Sequence, residues 1–309
     1  MVLNTNLLSN KPAFNFLILT LLITCCLGIY WPGLGGIFLL DDYHNLNTLN
    51  QHGGVTDLNS FLAFVFGNNS GTLGRPISMM SFLIDDHAWP SSPRSYKYTN
   101  LLLHLIGGLL IILFIYRIAI SLKLDNSTAR YIAFLCGALW IFHPLNVSTT
   151  LYVIQRMTQL TSIFMLVAIL CYCHGRITYE NNPAKALTIM TAGITFFGCL
   201  ALLSKENGVL LTVYILIIES TIFQSLQKPK AFKIWVSIFI LLPLIVLLAF
   251  FASRGFYVNA YEMRDFTFAQ RLMTESRILI DYLYSILIPP ARGTGLIHDD
   301  IVISTGLFT

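Results

Sequence analysis

The sequence predicts an all-α, polytopic membrane protein with about seven transmembrane helices and a long first outer loop carrying interfacial helices. Three observations carry this prediction. Of 309 residues, 55% are hydrophobic and only 11% are charged, where a soluble domain carries about 25% charge. Mean hydropathy is +0.69. Apolar runs of spanning length recur along nearly the whole chain. The net charge of +4 is small and scattered, which points away from nucleic acid. No internal repeat or low-complexity linker divides the chain, so 1–309 reads as one domain.

The first element is an apolar run from Ala13 to Trp31, preceded by Lys11. It is longer than a signal-peptide core and lacks a small-x-small cleavage site, so it reads as a retained signal anchor. The spans run over 13–31, 98–120, 128–144, 158–176, 185–203, 207–225 and 232–252. Each approaches the ~20 residues that cross a bilayer core. The third is short, and Pro144 ends it. Loop 32–97 holds apolar pieces at Phe61–Phe66 and Ile77–Ile84, too short to cross and expected to lie in the interface. The outer loop 253–309 contains an amphipathic stretch over 265–288, where Phe268, Leu272, Leu279 and Leu283 mix with Arg271, Glu275, Arg277 and Asp281. The chain stops at Thr309 soon after Pro289-Pro290, which reads as a truncated form of a longer protein.

Basic residues in the short loops set the expected orientation. Arg117, Lys123 and Arg130 flank the loop between spans two and three; Arg176 and Lys185 flank the next of that side; Lys228, Lys230 and Lys233 flank the last. These loops are expected in the cytoplasm, with the N-terminus inside a multi-pass inner-membrane protein. Loops 32–97 and 145–157, the turn at 204–206 and the segment 253–309 are then expected on the periplasmic face. The six cysteines, Cys25, Cys26, Cys136, Cys171, Cys173 and Cys199, fall in apolar spans. They read as small packing residues, not as a disulfide framework or a zinc set.

The outer face gathers charge that the orientation rule does not require. Asp41 and Asp42 follow the first span, and a carboxylate pair beside the apolar bilayer is costly. Arg75, Asp85, Asp86, Arg156, Lys205, Glu206, His298, Asp299 and Asp300 join them on that side. Arg156 stands at the entry to span four, and Lys205-Glu206 fills a tight turn between two spans. Each residue alone is equally well read as a wet loop charge or a snorkelling anchor. Together, a carboxylate beside cations at the outer leaflet fits transfer of a sugar from a lipid-phosphate donor. The carboxylate takes the proton of an acceptor hydroxyl as it attacks the anomeric carbon. The cations hold the phosphate and neutralise the charge it gains on leaving. A donor already resident in the membrane explains a polytopic chain without a nucleotide-binding fold. No phosphate loop, Gly-x-Ser-x-Gly elbow or His-Glu-x-x-His is present. No metal site is assigned, although the acidic pair is a candidate ligand for a divalent cation.

Five motifs in order add a resemblance: Leu40-Asp41-Asp42, Gly74-Arg75-Pro76-Ile77-Ser78, Tyr98-Thr99-Asn100 running to His104, His143-Pro144-Leu145-Asn146 running to Gln155-Arg156, and Ser204-Lys205-Glu206-Asn207-Gly208. They cover most of residues 35–305. In this order they resemble the transmembrane and tetratricopeptide-repeat O-mannosyltransferase family and its bacterial relatives, which are C-type, polytopic glycosyltransferases. The resemblance implies a catalytic base at Asp41 or Asp42. It also implies site residues at Arg75, Asn100, His104, Arg156, Lys205 and Glu206. Arg75, Arg156 and Lys205 are expected to seat the donor phosphate; His298 and Asp299 are expected to close the site. Asn146 and Ser148 stand where the family's eukaryotic members carry a second histidine and a glutamate. The expected partners are a polyprenyl-phosphate-linked sugar, membrane lipids and an acceptor that is a protein, lipid or glycan. Two other classes compete: a lipid or glycan transporter or flippase, which predicts broken spans with midplane charges, and a non-catalytic membrane scaffold.

Overall fold

The computed structural model describes residues 12–51, 53–69, 71, 73–255, 264–289 and 301–306. Among these residues the structure is helical throughout, without strands. The helices are α1 (Pro12–Tyr30), α2 (Asp41–Leu46), α3 (Leu58–Phe66), α4 (Pro76–Phe82), α5 (Pro93–Ser121), α6 (Asn126–Ile141) and α7 (Asn146–Leu151). They continue as α8 (Arg156–Thr178), α9 (Pro183–Ser204), α10 (Leu211–Thr221), α11 (Lys230–Val236), α12 (Leu242–Gly255) and α13 (Phe268–Leu287). Short 3₁₀ turns lead out of α1 and into α8 and α10.

Among the described residues, five helical stretches are long and apolar enough to cross a membrane: 15–35, 93–121, 153–178, 183–204 and 230–250. The chain is a multi-pass helical membrane protein. The predicted third and sixth spans are helical but short, with 16 residues in α6 and 11 in α10. At 1.5 Å per residue, α6 rises about 24 Å, short of the roughly 30 Å hydrocarbon core. The second predicted span begins earlier than its apolar run. Pro93 sits in the first turn of α5, where its fixed φ suits the helix and its missing N–H costs nothing. That extra turn carries Tyr96 and Lys97 into the interior. Between α11 and α12 the helix widens into a π turn over Ser237–Leu241. Pro243 follows at once; it donates no N–H to the turn before it, the usual cause of such a disruption.

Small residues let the spans approach closely, as membrane packing requires where apolar burial gives no drive. A Cβ on Gly108 would meet the Ile141 side chain at 2.5 Å, and one on Gly137 would meet the Ile112 side chain at 2.2 Å, so in each of α5 and α6 an isoleucine seats directly on a glycine of the other. Gly175 and Gly193 do the same for the α8–α9 hairpin, against Met190 and Cys171. The core around α8, α9 and α10 buries Tyr172, Met190, Ile215, Phe232 and Trp235.

Loop 32–97 folds as a second packed layer over one end of the bundle. Phe38, Leu46, Phe64, Met79, Phe82, Tyr96 and Tyr152 form its core. The two short apolar pieces of the loop became α3 and α4. Asp57 caps α3 in a reciprocal box with Ser60. Helix α4 is docked on the bundle: Ser78 is buried, and its Oγ donates to the Ser204 carbonyl at 2.8 Å. Helix α13, capped by a Thr267–Gln270 box, buries none of its residues. It touches the bundle where His143 Nε2 meets the Ile286 carbonyl at 3.0 Å.

Candidate active site

Asp41 and Asp42 open the first turn of α2, immediately after Leu40, whose φ of 33° is strained for a branched side chain. Adjacent positions on a helix point about 100° apart, so the two carboxylates meet different surroundings. Asp42 is fully buried. Its Oδ2 accepts the Leu39 N–H at 2.9 Å and its Oδ1 accepts the Ile154 N–H at 2.8 Å. Burial raises its pKa; the Leu39, Ile154 and Val153 amides and the charge of Lys97 pull the other way. Asp42 is a clamp joining the α2 turn to the entry of α8. Asp41 is exposed. Its backbone N–H donates to Tyr152 Oη at 3.0 Å, and its carbonyl accepts from Asn45 Nδ2 at 2.8 Å. Its backbone is held, and its carboxylate also hydrogen-bonds the Tyr152 hydroxyl. Burial and the two carboxylates raise the pKa of Tyr152, so its hydroxyl stays protonated beside Asp41.

Arg75 adopts the left-handed conformation (φ 53°) ahead of Pro76. Its guanidinium grips Glu206 through Nη2 at 2.9 Å and Nε at 3.1 Å. Burial alone would raise the Glu206 carboxyl, but its own backbone N–H and Arg75 outweigh that and hold it low. A Cβ on Gly71 would fall 2.0 Å from Glu206 Oε1, so only glycine lets that loop lie over the pair. Lys205 is half-buried, donates from Nζ to Thr158 Oγ1 at 2.8 Å, and has no carboxylate within ion-pairing distance among the described residues. Burial and the nearby Arg75 charge lower its pKa. Gly208 makes this turn: a Cβ there would lie 2.5 Å from the Ala201 and Leu202 backbone.

One segment, Tyr152–Thr158, ties these residues together. Tyr152 holds Asp41, Ile154 holds Asp42, Met157 Sδ lies 3.4 Å from Arg75 Nη1, and Thr158 holds Lys205. From Thr158 and Gln159 a cavity of ≈ 530 Å³ runs into the bundle between α5, α6, α8 and α10. Asn146, Thr149, Gln159 and Ser162 bring polar groups to its lining, and Phe114, Leu166, Ile169 and Ile217 apolar ones.

Arg156 requires a correction. As a seat for donor phosphate it would need a free, accessible fork. It is instead fully buried, and its guanidinium is consumed internally. Nη1 pairs with Asp85 at 2.6 Å and donates to the Ser81 carbonyl; Nη2 donates to the Tyr96 carbonyl and Nε to Asn100 Oδ1. It also lies over the Phe82 ring at 4.8 Å. Desolvation makes an internal partner mandatory for such a charge. Arg156 therefore fixes α4, α5 and α8 to one another. Asn100 serves the same junction, with Nδ2 on the Val153 carbonyl at 3.1 Å. His104 is buried in packing: Nε2 lies 2.9 Å from the Ile141 carbonyl, and its ring stacks on Trp140. His298 and Asp299 lie outside the described residues.

Sequence reasoning missed three participants. Asp85, seen only as an outer-loop charge, is the counter-ion of Arg156 and also accepts from Thr99 Oγ1. Lys97, fully interior, donates to the Ile37 carbonyl at 3.0 Å beneath Asp42. The only sequence signal for it was a lysine within a helical turn of a long apolar run. Tyr152 carried no signal at all.

Among the described residues no group of three His, Cys, Asp or Glu side chains is placed to hold a metal ion.

These features define a multi-pass helical membrane protein in which one segment, Tyr152–Thr158, holds both an exposed carboxylate and a cationic turn, and whose Thr158 lines a largely apolar cavity. The chain is distantly similar to the protein O-mannosyl-transferase TMTC3 of Homo sapiens, at 24% identity over 218 residues, which is 68% of this chain and 22% of that protein. The chain thus spans less than a quarter of that relative's length. No family model matches the sequence, and no solved structure matches it.

Proposed function

We propose that the protein is a membrane glycosyltransferase that moves a sugar from a polyprenyl-phosphate donor to an acceptor hydroxyl on the outer face of the membrane. The observation that carries this reading is the Tyr152–Thr158 segment, which holds an exposed carboxylate at Tyr152 and, at Thr158, an ammonium with no carboxylate in ion-pairing distance among the described residues, with Thr158 itself lining the cavity. The likeness to an O-mannosyl-transferase supports the same class. Asp41 takes the acceptor proton, because it is the exposed member of the pair. Asp42 positions it through the α2 turn. Lys205 receives the donor phosphate and neutralises the charge that grows as the glycosidic bond breaks. Arg75 adds positive potential while Glu206 fixes its orientation. The cavity seats the proximal isoprene units, with Thr158 at the border between head and tail. A flippase would place charge along its translocation path; no carboxylate, ammonium or guanidinium lines this cavity among the described residues.

The test is direct. The purified protein in liposomes receives a polyprenyl-phosphate-linked sugar carrying a radiolabel and a mixed pool of acceptors. Release of free polyprenyl phosphate together with labelled product is the expected result. Intact donor moved between leaflets without cleavage would assign the protein to transport instead.

A further inference from the structure

A second cavity, ≈ 460 Å³, lies in the outer layer between α2, the 3₁₀ turn Asn47–Asn50, α3 and the loop that follows α3. Its size falls in the range of about 300–1,000 Å³ typical of small-ligand sites. Its walls are unusual in chemistry. Primary amides crowd it, from Asn47, Asn50, Gln51 and Asn69. No carboxylate, ammonium or guanidinium group lines it among the described residues. The side chains of Asn47, Asn50 and Gln51 are exposed and make no hydrogen bond within the described structure. They are not spent on holding the fold. The base of this wall is fixed nonetheless: buried Asn68 donates to Asn45 Oδ1 at 3.1 Å, and Thr48 Oγ1 donates to the Asn45 carbonyl at 2.6 Å.

Tyr43 supplies the apolar element. It is half exposed at the rim and braced edge-on against Trp89 and Phe38, at 6.0 and 6.1 Å between ring centroids. A primary amide presents one acceptor and one donor group side by side, a match for two neighbouring hydroxyls. An aromatic face covers the C–H surface of a sugar ring. Without a lysine or arginine in its lining, the wall lacks the usual fixed charge partner of a phosphate or an acidic ligand. The position is also telling. His44 lines the cavity one helical turn after Asp41, and residues three apart share a helix face about 5–6 Å apart.

We propose that this cavity is a binding subsite for a neutral saccharide, which presents its hydroxyl to Asp41 as the acceptor. The acceptor role rests on the reading of Asp41 as the base; saccharide binding does not, and the experiment separates the two.

The full chain in nanodiscs, without donor, is titrated with neutral trisaccharides (mannotriose, cellotriose, chitotriose), with anionic 3′-sialyllactose and with a Ser/Thr-rich peptide, followed by saturation-transfer NMR and calorimetry. At least one neutral trisaccharide binds, and the Asn47→Ala/Asn50→Ala variant weakens it by about tenfold at an unchanged unfolding midpoint. Tyr43→Leu weakens it independently of the amides. Asp41→Asn leaves binding in place. Absence of binding by every neutral saccharide overturns the proposal, as does equal affinity in the double variant. Amide-dependent binding of the peptide in place of the saccharides also overturns it. If saccharide binding stands while Asp41→Asn still transfers sugar, the catalytic reading fails and the saccharide site survives.

Discussion

Replacing Arg156 with methionine separates a structural guanidinium from a ligand-binding one. The side chain is fully buried, 2.6 Å from Asp85, with further bonds to Asn100 at 2.7 Å and to the Ser81 and Tyr96 carbonyls at 2.9 Å. Removing it leaves the buried Asp85 carboxylate without its counter-ion, which costs about 3–5 kcal/mol. The abandoned carbonyls push the loss towards the upper end of that range. Against a total stability of roughly 5–15 kcal/mol, the change is large. Asp85→Asn in the same chain removes the stranded charge. The double variant should therefore lose less than the two single variants added together, by roughly 0.5–3 kcal/mol of coupling. Unfolding in detergent, followed by intrinsic fluorescence, reads this directly. Binding of a lipid phosphate to the folded fraction gives the second readout and should stay near wild type. An Arg156→Met protein with an unchanged unfolding midpoint and abolished lipid-phosphate binding would refute the reasoning and restore Arg156 to the phosphate seat.

Lys205→Met should raise the donor KM with little change in fold, because the half-buried ammonium forms no ion pair in the described structure. The lowered pKa of Lys205 has a definite sign. As pH rises through that pKa the cation is lost, so kcat/KM for the donor should fall along an alkaline limb below the ordinary 10.5, and Lys205→Arg should remove the limb. Gly208→Ala forces a Cβ to within 2.5 Å of backbone; the shift should cost about 1–3 kcal/mol and lower unfolding midpoint and transfer together, because the turn that carries Lys205 moves. Tyr152→Phe deletes the acceptor of the Asp41 N–H; stability should fall by about 1 kcal/mol, with kcat reduced and donor binding retained in a lipid-phosphate binding assay.

Composition and apolar run length were enough to read the helical, membrane-spanning class, because both act locally. Boundaries depended on neighbours. The early start of α5 follows from Pro93, and α6 and α10 are shorter than their apolar runs because turns at His143–Pro144 and Lys205–Gly208 take residues from them. In the sequence the charged residues stand as one group, and their individual partners follow only from the fold. Arg156 and Lys205 look alike in sequence, each a cation at a span end. Only the fold brings Asp85 to one and a hydroxyl to the other. Asp41 and Asp42 are adjacent and chemically identical, so no pattern could rank them. The Leu39 and Ile154 amides, which hold Asp42 alone, separate them. Lys97 was hidden for the converse reason: the helical turn that buries it precedes the apolar run.

The decisive comparison is sugar transfer by Asp41→Asn and Asp42→Asn, each measured beside its unfolding midpoint. Asp41→Asn should keep the wild-type midpoint and lose transfer by several orders of magnitude, of the order of 10²–10⁴ for a missing general base. Asp42→Asn should lower the midpoint, because a neutral amide holds the Leu39 and Ile154 N–H groups less well. Full transfer by Asp41→Asn, or an Asp42→Asn protein that is dead at an unchanged midpoint, would contradict the assignment of Asp41 as the base.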